Sequence, residues 1–120
     1  MPYADTDFFI AISDEGDRLH KHAITLYQEY KGRLYTSLAV IIELVLVFSR
    51  RKQSAERAVS DAISIAHLDD ADPNNALLAA KLIDRDGVGI FDAFHAALCK
   101  GEIVSSDGIY DRIGLNRIKL

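Results

Sequence analysis

Apolar positions in this chain fall into short runs separated by polar, glycine-containing stretches. YADTDFFIAI, Tyr3 to Ile12, is mostly apolar and rich in β-forming aromatics, and it predicts a strand buried on both faces. Asp14, Glu15, Gly16 and Asp17 break that run and supply helix-start acids. DRLHKHAITLYQEYKG then places Leu19, Ala23, Leu26, Tyr27 and Tyr30 at helical spacing, with Gly32 as a stop. Leu34 to Thr36 predicts a second short strand. Thr36 or Ser37 can cap a buried helix carrying LAVIIELVLVF to about Arg51. SAERAVSDAI predicts another helix and SIAHLD a short extended piece. DPNNALLAAKLIDRDG opens on an Asp–Pro helix signal and ends on Gly87. GIFDAFHAALCKG predicts a helix, EIVSSD a strand, IYDRIG a helical turn and NRIKL a last strand.

Strands alternating with helices predict an α/β fold with a mainly parallel central sheet and helices on both faces. At 120 residues the chain has the length of one domain, 1–120. With 49% hydrophobic and 27% charged residues and two prolines, it has the composition of a packed globular protein rather than a disordered one. The single cysteine, Cys99, excludes an internal disulfide and a cysteine-rich zinc site and suits a reducing cytoplasm. MPYADTDFFI carries acids where a signal peptide carries basic residues, so export is not expected. The apolar run around Glu43 is too short to span a bilayer, which takes about 20 apolar residues.

Four acids stand in apolar company, where a carboxylate is least at home: Asp5 in the first predicted strand, Glu43 inside LAVIIELVLVF, Asp92 in the first turn of GIFDAFHAALCKG, and Asp107 closing EIVSSD. Each alone has a plainer reading. Asp5 can bond backbone amides, Asp92 can favour the positive end of its helix, Asp107 can form a turn, and Glu43 can pair with a buried arginine. If the four converge, they raise one another's pKa until protons or cations neutralise them. All-oxygen ligation selects a hard ion, Mg²⁺ or Mn²⁺, and a pair of such ions about 3.5–4 Å apart suits phosphodiester hydrolysis.

The net charge of −4 argues mildly against a nucleic-acid partner, but with these four acids set aside the rest of the chain is neutral overall. Arg50, Arg51, Lys52, Lys81, Arg85, Lys100, Arg112, Arg117 and Lys119 are then candidate phosphate contacts, though ordinary solvated charge is the plainer reading of each.

YADTDFFIAI, TSLAVIIELVLVF, GIFDAFHAALCKGEIVSSDGIYDRIG and NRIKL together resemble the PIN domain, in particular its VapC toxin branch, over essentially the whole chain. The motifs are short, and their order and spacing make the likeness. Asp5, followed by Thr6, resembles the family's first-strand aspartate. Glu43 resembles the acid within the apolar second helix. Asp92 resembles the aspartate opening a helix of small residues, and Asp107 that of the Thr/Ser-x-Asp motif, with Ser105 as the hydroxyl. Asp7 stands where the family often has a small polar residue, and Asp111 is a further supporting candidate. The resemblance implies a Mg²⁺- or Mn²⁺-dependent endoribonuclease with these four acids as metal ligands and catalytic residues. It implies cleavage of single-stranded or loop RNA to a 5′-phosphate and a 3′-hydroxyl. It also implies a homodimer, a small VapB-type antitoxin as partner, and a cytoplasmic location without a membrane.

His95, three residues after Asp92 on nearly the same helix face, reads as a packed histidine or one that orients a carboxylate or a water. His20 and His22 do not share a helix face, which disfavours a histidine metal site. Tyr27, Tyr30 and Tyr35 read as core or dimer interface before base-stacking platforms. A PIN-type nuclease that processes RNA without acting as a toxin is an alternative. Another is a phosphorylation receiver domain, with Asp69 and Asp70 as its middle acid, but EIVSSD ends in Asp107 where that class needs a lysine.

Overall fold

The computed structural model describes residues 1–69 and 72–120. In chain order these form β1 (Tyr3–Ala4), α1 (Thr6–Ser13), α2 (His20–Tyr30), β2 (Tyr35–Ser37), α3 (Leu38–Arg50), α4 (Ala55–Ile65), β3 (His67–Asp69), α5 (Pro73–Asp86), α6 (Ile90–Leu98), β4 (Glu102–Ser105), α7 (Ile109–Arg112) and β5 (Asn116–Lys119). The strands make a five-stranded sheet in the order β3-β2-β1-β4-β5, parallel at every pairing. Because such crossovers are right-handed, stepping outward to β3 puts α1–α4 over one face, and stepping back to β4 and β5 puts α5–α7 over the other. This is the expected α/β fold. The order also separates the chain from receiver domains, whose sheet runs 2-1-3-4-5. Of that reading's middle acids, Asp69 is ion-paired with Lys100 at 2.9 Å and Asp70 lies outside the described residues.

The predicted first strand needs correction. Only Tyr3 and Ala4 are extended, and the chain turns helical at Thr6. Asp5 is the N-cap, its Oδ1 accepting from the Thr6 amide at 2.7 Å, and Asp7 adds a second acid to the first turn. This capping outweighs the β-propensity of FFIAI. Phe8, Phe9 and Ala11 still reach the core, but from a helix.

LAVIIELVLVF does form a helix, yet only one stripe of it is core. Val40, Leu44 and Phe48 are buried at a four-residue spacing, whereas Leu38, Ile42, Val45 and Leu46 face outward. Ser37 is the N-cap by position, but its hydroxyl is held 2.6 Å from the Tyr3 hydroxyl and makes no capping bond. Asp72 caps α5 by accepting from the Asn74 amide, and Gly87 ends it at φ 63°, in the left-handed region that glycine adopts without penalty. Among the described residues no helix is long and apolar enough to cross a membrane.

The strand order reverses between β1 and β4, so the loops after these two strands diverge and leave a crevice at their carboxyl ends. Asp5 follows β1 directly, and Asp107 lies two residues beyond β4.

Candidate active site

An open pocket of about 340 Å³ occupies this crevice, lined by Asp5, Thr6, Asp7, Ile10, Glu43, Val47, Asp92, Ser106 and Asp107. The four acids singled out from the sequence thus lie together, brought from the end of β1, the second turn of α3, the first turn of α6 and the turn after β4. Asp7 joins them. No basic side chain lines the pocket among the described residues.

Asp5 is buried and surrounded by donors. Its Oδ1 takes the Thr6 amide, and its Oδ2 accepts from the Ser105 hydroxyl at 2.9 Å and the Tyr110 hydroxyl at 3.1 Å. Burial pushes its carboxyl up to about 6, while the facing His95 pulls it down. Tyr110 has one proton and two carboxylates in reach, since its oxygen also lies 3.3 Å from Asp92 Oδ1. Burial and the Asp5 and Asp92 charges drive the Tyr110 hydroxyl far up, so it remains a donor.

Glu43 projects from the α3 stripe between the buried and exposed faces. Its Oε1 accepts from the Thr6 hydroxyl and lies 3.1 Å from His95 Nε2. Burial raises its carboxyl, but the bonds from His95 and Thr6 outweigh that and hold it below the ordinary glutamate value. Asp92 is pushed the other way, by burial and by the nearby Asp107. The neighbours thus split the cluster: one acid is favoured as the anion, and others resist carrying charge together.

Asp107 does not close the strand, as its position in EIVSSD suggests. β4 ends at Ser105, and the chain turns there because the Ser105 hydroxyl accepts the Asp107 amide at 3.0 Å while Asp107 Oδ1 accepts the Ile109 amide at 2.9 Å. The Ser106 amide and hydroxyl both donate to Asp7 Oδ2, tying the loop after β4 to α1. The other oxygen, Asp7 Oδ1, is buried with no hydrogen-bond partner among the described residues. Burial pushes this carboxyl up as well.

Asp111 is drawn away from the pocket. Arg117 chelates it, with Nη2 at 2.7 Å from Oδ2, and donates through Nη1 to the Ser105 carbonyl at 3.3 Å. Of the candidate phosphate contacts, Arg117 and Lys100 are thus engaged by Asp111 and Asp69, while Arg50, Arg51, Lys52, Lys81, Arg85, Arg112 and Lys119 are exposed. Tyr35 is buried in the core, with Tyr27 and Tyr30 packed against it. His20 and His22 each lie against a backbone carbonyl, of Ala11 and Lys119 respectively.

Two residues at the site stood outside the four acids read from the sequence, one with no signal of its own and one with a partial one. Tyr110, in the helical turn after β4, reaches back to Asp5 and Asp92, a contact that only the tertiary fold creates. His95 had a partial one, its three-residue spacing from Asp92. The structure buries it completely, with Nε2 3.3 Å from Asp5 Oδ1. Asp5, Glu43 and His95 each offer a ligand-type atom within 4.8 Å of the others, and Asp92 and Asp107 line the same pocket without joining this tight group.

A pocket walled by carboxylates, with one buried oxygen lacking a donor and no lysine or arginine in its wall among the described residues, has the donor chemistry of a hard divalent cation site. The residues present fit such an ion.

The model of the PIN domain matches residues 3–114 of the chain. The chain belongs to the PIN domain family. No curated protein sequence matches it. Among solved structures, VapC20 of Mycobacterium tuberculosis, a toxin that cleaves the sarcin–ricin loop, superposes with a TM-score of 0.76 at 22% identity, covering 94% of this chain and 95% of that one. VapBC2 of Rickettsia felis, bound to a promoter DNA fragment, gives 0.71 at 13% identity, covering 98% and 97%. A toxin–antitoxin complex from Klebsiella pneumoniae gives 0.68 at 18% identity, covering 90% and 88%. At these identities the likeness concerns the PIN fold, which the sequence resemblance had indicated.

Proposed function

We propose that this PIN domain is a divalent-metal-dependent endoribonuclease that hydrolyses single-stranded or loop RNA, and that it serves in the cytoplasm as the VapC-type toxin of a toxin–antitoxin pair. The observation that carries the reading is the convergence of Asp5, Asp7, Glu43, Asp92 and Asp107 on one pocket without a basic side chain in its described wall. Membership of the PIN family and the VapC proteins among its structural neighbours support the same reading.

In this reading Asp5, Glu43, Asp92 and Asp107 hold Mg²⁺ or Mn²⁺, supported by Asp7, Thr6 and Ser105. The ion supplies Lewis-acid activation of water at neutral pH and charge compensation for the departing oxygen. The protein's part is to fix the acids. Ser105, Tyr110 and the Thr6 amide orient Asp5, the Thr6 hydroxyl orients Glu43, and Ile10 and Val47 form an apolar wall beside them. Water forms a new bond to phosphorus as the bond to the 3′ oxygen breaks. One fragment leaves with a 5′-phosphate, and the proton released from water completes the 3′-hydroxyl of the other.

Leu38, Ile42, Val45 and Leu46 on α3 and Ile90 on α6 leave an apolar surface exposed. Surface of this kind favours a protein partner, consistent with a homodimer and a VapB-type antitoxin. RNA incubated with the protein and Mg²⁺ or Mn²⁺ is expected to be cut, EDTA to abolish cleavage, and Asp5→Asn nearly to abolish it. Activity that survives chelation would sink the metal mechanism. Expression without growth arrest, with cleavage of a defined precursor RNA, would replace the toxin role by RNA processing.

A further inference from the structure

His95 is wholly buried, yet its Nε2 sits 3.1 Å from Glu43 Oε1 and 3.3 Å from Asp5 Oδ1. Both carboxylates line the pocket, and His95 does not. The ring therefore lies behind the acids. Carboxylate oxygens only accept when ionised, so Nε2 carries the proton that both of them face. On the other side of the ring, Nδ1 lies 3.0 Å from the Tyr3 hydroxyl, which in turn lies 2.6 Å from Ser37 Oγ. Tyr3 is buried and its hydroxyl is pushed far up by that burial, so it stays protonated. In the neutral ring every proton has one place: Ser37 donates to Tyr3, Tyr3 donates to Nδ1, and Nε2 donates to Glu43 with Asp5 Oδ1 beside it at 3.3 Å.

Resting on the nuclease reading above, we propose that His95 is the positioning residue of the site: it gathers Asp5 and Glu43 from the end of β1 and from α3 into one ligand set, and Tyr3 fixes the tautomer that lets it do so. Two carboxylates at the site are thereby held at short range before any cation arrives. Groups behind metal ligands typically change metal affinity by about 10–100-fold when removed. A direct ligand would behave differently, because an imidazole nitrogen favours Mn²⁺ over Mg²⁺ whereas oxygen donors discriminate less.

The test is calorimetric titration of the wild type, His95→Leu, His95→Gln and Tyr3→Phe with MgCl₂ and with MnCl₂, on protein shown to be folded by circular dichroism. His95→Leu is expected to weaken both ions alike, by about 10–100-fold. His95→Gln, which keeps an N–H donor, is expected to recover most of that loss, and Tyr3→Phe to weaken both ions by a smaller factor. Should His95→Leu not fold, His95→Gln and Tyr3→Phe carry the comparison, and wild-type affinity for both ions in Tyr3→Phe overturns the proposal. Unchanged or tighter binding by His95→Leu overturns it, and a loss confined to Mn²⁺ reassigns His95 as a ligand. Wild-type protein that binds neither ion would remove the nuclease reading and this inference with it. Wild-type binding that the variants leave intact removes this inference alone.

Discussion

Ser105 donates its hydroxyl proton to Asp5 Oδ2 across 2.9 Å, joining the carboxyl end of β4 to the residue that follows β1. The same hydroxyl oxygen accepts the Asp107 amide at 3.0 Å, so one buried serine aligns two of the pocket's acids. Ser105→Ala removes both bonds at once and leaves the Asp107 amide without its partner. A loss of about 1–3 kcal/mol in unfolding free energy is expected from urea titration. RNA cleavage should fall with it, because Asp5 loses the donor that fixes its carboxylate plane.

Glu43→Gln separates charge from shape. The amide keeps an acceptor for the Thr6 hydroxyl but no longer answers His95 as an anion. Cleavage should be lost while unfolding free energy in EDTA stays within about 1 kcal/mol of wild type, because the charge removed also repels its neighbouring acids. Severe unfolding of this variant would make Glu43 one half of a structural ion pair instead.

The acids also set a pH dependence for the metal-free protein. The folded value for Asp5 is raised from 3.8 to about 6, so its contribution is fully present below about 3.8 and is lost as pH rises through about 6. Asp7 and Asp92, also raised, act in the same sense. His95 is raised from 6.5, although burial opposes it, and its contribution is present below that value and lost as pH climbs past its folded one. Glu43 is depressed and works in reverse, its contribution present above 4.5 and lost as pH falls through its folded value. In EDTA, the urea midpoint is expected to decline as pH rises from about 5 to about 7. Saturating Mn²⁺ should flatten or invert that decline, since binding a cation displaces the protons. A midpoint that climbs through this window in EDTA would contradict the assignment.

Asp111 and Asp107 lie four residues apart and should respond in opposite ways. Asp111 is exposed and committed to Arg117, whereas Asp107 lines the pocket. Asp111→Asn should leave cleavage near the wild-type level, and Asp107→Asn should remove it. Equal losses in a cleavage assay would bring Asp111 into the site.

These contrasts show which features a linear sequence carries. Helix ends marked by Asp72 and Gly87 were legible, because capping chemistry is local. The four acids were legible too, because a carboxylate within an apolar run is out of place wherever it occurs. Helix α1 was not, since FFIAI has the residues of a strand and the helix-start chemistry of Asp5 and Asp7 sits inside what reads as that strand. The roles of Tyr3 and Tyr110 depend on partners up to 105 residues away, and no spacing announces such contacts, whereas the spacing of His95 from Asp92 hinted at a carboxylate partner without naming Asp5 or Glu43. The two faces of α3 were hidden for another reason: a nearly unbroken apolar run has no periodicity from which to tell the core stripe from the outer one.

Those two faces can be told apart by substitution. Leu44 is buried between Val40 and Phe48, so Leu44→Ala should cost about 2–5 kcal/mol in unfolding free energy. Ile42, two residues earlier, is 48% exposed and touches the apolar groove formed with Ile90, Phe91 and Phe94. Ile42→Ser removes little core packing, so the separated chain should unfold within about 0.5 kcal/mol of wild type. If the outer stripe of α3 is where two copies meet, the same substitution should instead lower the sedimenting mass and make the urea midpoint less dependent on protein concentration. A large, concentration-independent loss for Ile42→Ser would place this residue in the core and remove α3 as a contact between copies.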